Sequence, residues 1–472
     1  MLIVPGRPSA QALLWWVWSD VDVTPSVTIS GPAAGQSSLR VLRLGEASDP
    51  LVARRAYVVL ATALQADASY TLDAVAGNDR AQAASRTFPL TLAPGRPFTI
   101  AFGSCFSLPT NRGIDVFYPP TPHRATGDDP IRLRIGCGDQ LYMDLSAASG
   151  TPLILKPPDP WQRYRAQWHD PVYAAFLRQS PNLMLADDHE FWNDYPHGNA
   201  WLPWAESEPG GPLGMAMERA FDVFQAALNL DPDALGTTPV ASLRIVLAQE
   251  ARTFEICVEP LRLFCLDTRT RRSRYDVTLP RFTDPLWLTQ ASQWLRAAPG
   301  IRVLCLSQAA IEERAGWFAR RAHTLSDANL PDYDDDFAAL WEALVGAPTD
   351  RLVLAGDVHW SRLYQARQAR DPRVEVYEVI ASPLARIPGG APATGERTGK
   401  VEWERPGGRA HWTRRYATNA AATYTTLTFR VRSSGTQPDV EVSSTVWGIP
   451  PSLAQGAIPL CQDTFFLRGV IV

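Results

Sequence analysis

Four short apolar runs of this chain each end in side chains able to hold a metal ion, and that coincidence limits the possible folds more than any other feature. FTIAFGSCFS closes on Cys105, RLRIGCGDQLYMD on Asp139 and Tyr142, NLMLADDHEFWND on Asp187, Asp188, His189 and Asn193, and RLVLAGDVHW on Asp357 and His359. Apolar runs this short suit strands covered on both faces. In open α/β sheets ligands bind at the carboxyl ends of the strands, so four such endings are expected to converge. Singly, each has a plain structural reading: GD is common turn chemistry, the acids of ADDHE suit a helix cap, and a thiol beside an apolar run is usually packed. Turns that arise independently have no reason to carry a metal-type side chain at every strand end.

The intervening segments supply the rest of an α/β body. LRLFCLD and IRVLCLS read as further strands, while VYAAFLRQS, PLGMAMERAFDVFQAALNL, WLTQASQWLRAA and DDFAALWEALVG carry apolar residues at helical spacing. Ahead of them, LLWWVW, SVTIS, LRVLRL, AYVVLATAL and SYTLDAVA are β-rich runs punctuated by turn residues, the pattern of a small sandwich. Leu64 precedes Tyr70 at the spacing of the tyrosine corner found in immunoglobulin-like and fibronectin-like domains, with Ala66 where a Pro is usual. TLAPGRPFT reads as a linker. The expected organisation is a β-sandwich over residues 1–96 and an α/β domain over 97–472, completed by β-strands from about residue 420.

Composition narrows the function. A net charge of -4 lacks the basic footprint that draws a protein onto nucleic acid or an anionic bilayer, so a small molecule is the expected partner. No run approaches the roughly 18 apolar residues of a membrane span. MLIVPGRPSAQALLWWVWSD has no basic region followed by an apolar stretch and a cleavage site, which predicts a cytoplasmic protein unless a leader has been trimmed. The scattered cysteines form no disulfide framework. Cys257, Cys265 and Cys305 lie in apolar runs and are expected to be buried, whereas Cys105 and Cys137 stand where such runs break into Gly and Asp.

Carboxylates are hard ligands, imidazole is intermediate, and thiolate with tyrosinate favours ferric iron, while the remaining oxygens suit calcium or manganese. Two such cations roughly 3.5 to 4 Å apart activate water and hold the oxygens of an in-line displacement, which points to phosphoester hydrolysis.

Taken in order, GSC (103–105), GDQLY (138–142), DDHE (187–190), DTRTRR (267–272) and AGDVH (355–359) resemble the PhoD-like branch of the calcineurin-like metallophosphoesterases. The resemblance implies a four-layer α/β/β/α sandwich behind an Ig/fibronectin-like domain. It implies Cys105, Asp139, Tyr142 and His359 around Fe3+, with Asp139 bridging to Ca2+ beside Asp188 and Asp357 and with Asn193 as a further candidate; Mn2+ or Zn2+ are possible substitutes. His189 falls on the position that protonates the leaving group, and Arg269 or Arg272 would stabilise the phosphoryl oxygens unless they anchor Asp267 and its loops. The implied activity is that of an alkaline phosphatase/phosphodiesterase in which a metal-bound hydroxide attacks phosphorus. The alternatives are a diester-selective enzyme for nucleotide or phospholipid linkages, with Trp192 and Trp360 stacking on the substrate, and a noncatalytic metal-stabilised binding protein. The family's usual twin-arginine leader is absent from the sequence, Gln308 stands where the wider superfamily often has His, and Cys137 adds a spare thiol near the site. His197 and His323 have no motif around them.

Overall fold

The computed structural model describes residues 1–108, 131–146, 150–199, 201–205, 210–275, 277–297, 300–312, 328–347, 349–368, 373–385, 398–402, 408–418, 422–432, 439–448 and 457–469, and His323 lies outside them. The first strands are β1 (Leu2–Pro8), β2 (Leu13–Trp18), β3 (Ser26–Ser30), β4 (Ser38–Arg43), β5 (Ala56–Thr62), β6 (Ser69–Ala76) and β7 (Asp79–Arg86). They form two sheets, ordered β1-β2-β5-β4 and β3-β6-β7. Ile3, Trp15, Val17, Tyr57, Val59 and Leu72 pack between them. The Tyr70 hydroxyl donates to the Pro32 carbonyl at 2.7 Å and accepts from the Gln65 N–H at 2.8 Å, so the corner closes with alanine in place of proline. β1 was hidden in the sequence by its prolines and glycine, and β7 by its few apolar residues.

Side chains alternate along a strand, so β2 presents Trp15 and Val17 to this sandwich and Leu14, Trp16 and Trp18 to the opposite side. There the rings meet the helices Pro160–Trp168, Pro171–Arg178 and Pro212–Phe224. Trp16 and Phe224 have centroids 5.4 Å apart, and the Trp16 indole donates to the Val223 carbonyl at 2.8 Å. The N-terminal sheet β1-β2-β5-β4 therefore shares a hydrophobic core with the α/β body.

That body is mixed α/β and built on two larger sheets. β8 (Pro97–Gly103), β9 (Ile131–Cys137) and β10 (Asn182–Leu185) belong to the first; β11 (Phe254–Val258), β12 (Leu261–Cys265), β13 (Ile301–Cys305), β14 (Arg351–Ala355), β15 (Ser361–Gln368), β16 (Glu375–Ile380), β17 (Thr398–Glu402) and β18 (Arg409–Thr418) form the second. β19 (Thr423–Val431), β20 (Val440–Gly448) and β21 (Ile458–Leu467) return to the first sheet, ordered β10-β9-β8-β19-β20-β21, so the C-terminal strands extend it from β8. Ile100, Leu133, Leu183, Leu263, Val303 and Leu354 fill the space between the two sheets. The helices Pro285–Arg296 and Asp334–Val345 cover the outer face of the second.

The pairs β8/β9, β9/β10, β12/β13, β13/β14 and β14/β16 are parallel, so their carboxyl ends share one end of the body. The expectation of a buried Cys257 is corrected: β11 is an edge strand whose Phe254, Ile256 and Val258 point inward, which turns Cys257 outward to solvent. Cys265 and Cys305 are buried as expected.

Because Trp16 joins the N-terminal sheet to the helices, Trp16→Ala should lower the unfolding free energy by about 3 to 5 kcal/mol in a denaturant titration. An unchanged midpoint would show that the two parts are not held together through this ring.

Candidate metal centre

The strand-end residues do gather. Among the described residues, metal-type side chains form three overlapping groups, Cys105/Asp139/His359, Asp139/Asp188/His189 and Asp139/Asp187/Asp357, with the ligand atoms in each group within 4.8 Å of one another. Asp139 belongs to all three. Its Oδ2 lies 3.4 Å from the Cys105 thiol and accepts from the Tyr142 hydroxyl at 3.2 Å, while its Oδ1 accepts from the His189 backbone N–H at 3.3 Å.

Two glycines permit this approach. A Cβ on Gly356 would collide with the Cys137 carbonyl oxygen, and Gly138, at φ 86°, faces the Asp187 side chain. Across the gap between the large sheets, the Asp357 N–H donates to Ser104 Oγ at 3.2 Å, which fixes the ends of β8 and β14 against each other. Cys105, Asp139, Asp357 and His359 all adopt positive φ, between 54° and 68°. Such backbone costs roughly 1 to 3 kcal/mol per residue and concentrates at functional sites, where the surroundings enforce it.

The electrostatics favour a cation. Burial pushes the Cys105 thiol up to about 12, with the Asp357 charge adding to the shift. Burial and then the neighbouring thiol push the Asp139 carboxyl well above the usual carboxylate range, and Tyr142 is raised by burial and then by Asp139. Acids driven toward their protonated forms by burial and by one another are a donor set that positive ions stabilise. The carboxylates, thiol, phenol and imidazole therefore fit bound metal ions.

His189, a member of the second group, is also held by a residue outside all three. Its Nδ1 lies 2.8 Å from Asp144 Oδ1, and its ring sits 4.1 Å from that of Tyr142. Burial opposes a charge there, yet the carboxylates of Asp144, Asp188 and Asp139 outweigh it and hold the imidazolium well above its usual range. His359 is shifted the other way by burial, with the His189 charge adding.

Other expected residues are placed differently. The Asn193 side-chain amide donates to Asp194 at 2.6 Å, and the Asp194 N–H donates in turn to Asp188 at 2.7 Å. Arg269 is fully buried, with Nε donating to Asp187 at 2.6 Å and another nitrogen donating to the Tyr195 carbonyl at 2.8 Å. Arg272 donates to the Thr268 carbonyl at 3.0 Å and to Gln308, whose amide donates to Asp357 at 3.2 Å. Trp192 is buried and Cys137 packs in the core between the sheets. His197 holds a loop: its Nε2 accepts from the Tyr275 N–H at 2.8 Å.

The capping expected of the acids in ADDHE is present, with Asp187 as the N-cap, but sequence reasoning passed over Asp144 and the part that Glu190 plays. Glu190 is wholly buried and accepts from the N–H groups of Asp139, Gln140 and Asp187 at 2.9, 2.6 and 2.8 Å. Its place three residues after Asp187, in the spacing of a capping box, was the available signal.

No family model matches the chain, and no curated protein matches it by sequence. The class its architecture defines is nonetheless shown by a solved structure. The structure of PhoD aligns over 99% of this chain and 90% of its own, with a TM-score of 0.62 at 15% identity, so the fold is PhoD-like. GAP50, the anchor in the inner membrane complex of Plasmodium, aligns with a TM-score of 0.33 at 8% identity, a likeness too slight to carry an argument. Among the described residues no helix is long and apolar enough to cross a membrane.

Glu190→Gln should disturb the loops after β9 and β10 together, since an amide cannot accept all of these hydrogen bonds through two carboxylate oxygens. The expected loss is about 2 to 4 kcal/mol of stability, read by thermal unfolding, with weaker metal binding. A variant of wild-type stability that keeps its metal would remove Glu190 from this role.

Proposed function

We propose that this protein is a metal-dependent phosphoester hydrolase that works on phosphomonoesters or phosphodiesters. The observation that carries the reading is a buried Asp139 carboxyl group common to three donor groups, beside an imidazole held by Asp144. The family's architecture supports describing residues 1–96 as an Ig/fibronectin-like sandwich and 97–472 as an α/β/β/α catalytic domain. Cys105, Asp139, Tyr142 and His359 would hold an iron ion, and Asp139, Asp188 and Asp357 a calcium ion, with manganese or zinc as substitutes. Asn193 is held as a further ligand on the calcium side.

When bound, the metal ions supply Lewis acidity that activates water and neutralises phosphoryl charge. The rest falls to the chain's own groups. With Nδ1 engaged by Asp144, the His189 proton at Nε2 is the one available to the departing oxygen, and the Asp144 carboxylate favours keeping it there. Arg269 and Arg272 act through the residues they hold: Arg269 neutralises Asp187, and Arg272 orients Gln308 against Asp357.

The test is elemental analysis of the purified protein together with hydrolysis of chromogenic monoesters and diesters, with and without chelator and added calcium. Iron with calcium-dependent turnover is expected; no metal and no turnover would overturn the reading. Cys105→Ala should lose iron while keeping most of its stability.

His189→Ala should retain the metals yet slow esters with poor leaving groups by about a hundredfold more than activated ones. The general acid must be protonated, so activity falls as pH rises through its pKa. Asp144→Asn removes the largest of the charges that raise that pKa, and the alkaline limb of the pH profile should therefore move to lower pH. A profile that stays in place would dissociate Asp144 from the proton donor.

A further inference from the structure

Three guanidinium groups meet in one cleft beside the segment that joins the N-terminal sheets to β8, and they share no residue with the metal centre. Arg86 ends β7, Arg96 immediately precedes β8, and Arg132 lies in β9. With Asp67, Thr91 and Phe98 they line about 220 Å³. Asp67 is the one acid of the lining, so three positive charges face one negative charge and leave a net of two.

The three arginines differ in how far they are used. Arg132 lies 2.8 Å from the Asp67 carboxylate, donates to the Thr87 carbonyl at 3.0 Å, and is only 11% exposed. Arg86 lies 3.1 Å from the same carboxylate and also donates to the Asp67 carbonyl, and its buried Nε makes no hydrogen bond. Arg96 stands 3.8 Å from Asp67, beyond hydrogen-bond distance, and is 73% exposed. Arg132 and Asp67 thus form a fixed floor, and Arg86 and Arg96 hold donors in reserve at the rim.

We propose that this cleft is a noncatalytic binding site for a tetrahedral oxyanion carrying two negative charges, of which inorganic phosphate is the simplest. Guanidinium forks match the oxygens of such an ion two at a time, and a dianion balances the excess charge of the lining. Bound there, it would bridge β7, the joining segment and β9, and so fasten the N-terminal sheets to the first strands of the body. The inference stands apart from the proposed hydrolysis.

The experiment is calorimetric titration of the full chain with inorganic phosphate, after chelation and in an Asp139→Asn background that silences the metal centre. Expected are one phosphate per chain, competition by sulfate but not by chloride, and binding about tenfold weaker in Arg96→Ala, as for loss of one charge-assisted hydrogen bond. Asp67→Asn should bind more tightly, because it removes the competing carboxylate while asparagine accepts the φ of 54° at this position. If the Asp139→Asn background does not fold, the same comparison is read from the phosphate-induced rise in Tm of the wild-type chain against Arg96→Ala, whose hydrolytic activity should be unchanged. No phosphate binding, or binding that Arg96→Ala leaves intact, overturns the proposal.

Discussion

A carboxylate removed from water is unfavourable unless donors surround it, and the Glu190 side chain is surrounded by donors from two different strand ends. It gathers the N–H groups of Asp139 and Gln140 after β9, that of Asp187 after β10, and the side-chain amide of Gln225 at 3.2 Å. Burial still lifts it to about 7, a measure of how much the surrounding donors must offset. Because parallel strands bring their carboxyl ends together without fixing the loops beyond, this one side chain converts nearness of strands into nearness of ligands. Asp139 meets Asp188 and His189 because its backbone N–H and that of Asp187, the residue before Asp188, are tied to a common acceptor, and the His189 N–H donates in turn to Asp139.

A second constraint works between the sheets. Ser104 accepts from Asp357 at 3.2 Å and donates to the Ala381 carbonyl at 3.2 Å, joining strand ends far apart in sequence. Directly beneath, Cys137 in one sheet packs with Cys265 and Cys305 in the other, three buried thiols that act as small apolar groups where the sheets approach. The N-terminal sheet adds its Trp16 face to the helices that back β10. The ligand-bearing loops therefore rest on cores to which, among the described residues, both large sheets, the helices and the first N-terminal sheet contribute.

Much of this was legible in the sequence, for a physical reason: strands buried on both faces must be continuously apolar, and a polar side chain at their end has to serve some purpose. Cys105, Asp139, Asp188, Asp357 and His359 were readable on that logic. What escaped was whatever depends on a partner distant in the chain. Nothing local to Asp144 says that it will meet His189, and nothing in DTRTRR says that Arg269 will be engaged by Asp187 or that Arg272 will reach Gln308. Cys257 escaped because an apolar neighbourhood does not reveal which strand lies at a sheet edge.

The left-handed backbone at Cys105, Asp139, Asp357 and His359 governs how the site can be dissected. Asparagine and glycine enter that region readily, whereas β-branched residues are excluded from it and alanine enters at a penalty of about 1 kcal/mol or more. Asp139→Asn and Asp357→Asn thus remove a charge without moving the main chain, and a valine or threonine at either place would reshape the loop as well as remove the ligand. The same geometry limits what drift can do to the centre: its positions exchange easily only among a few small or amide-bearing residues, so a decayed relative should be recognisable by asparagine or glycine where these acids stand.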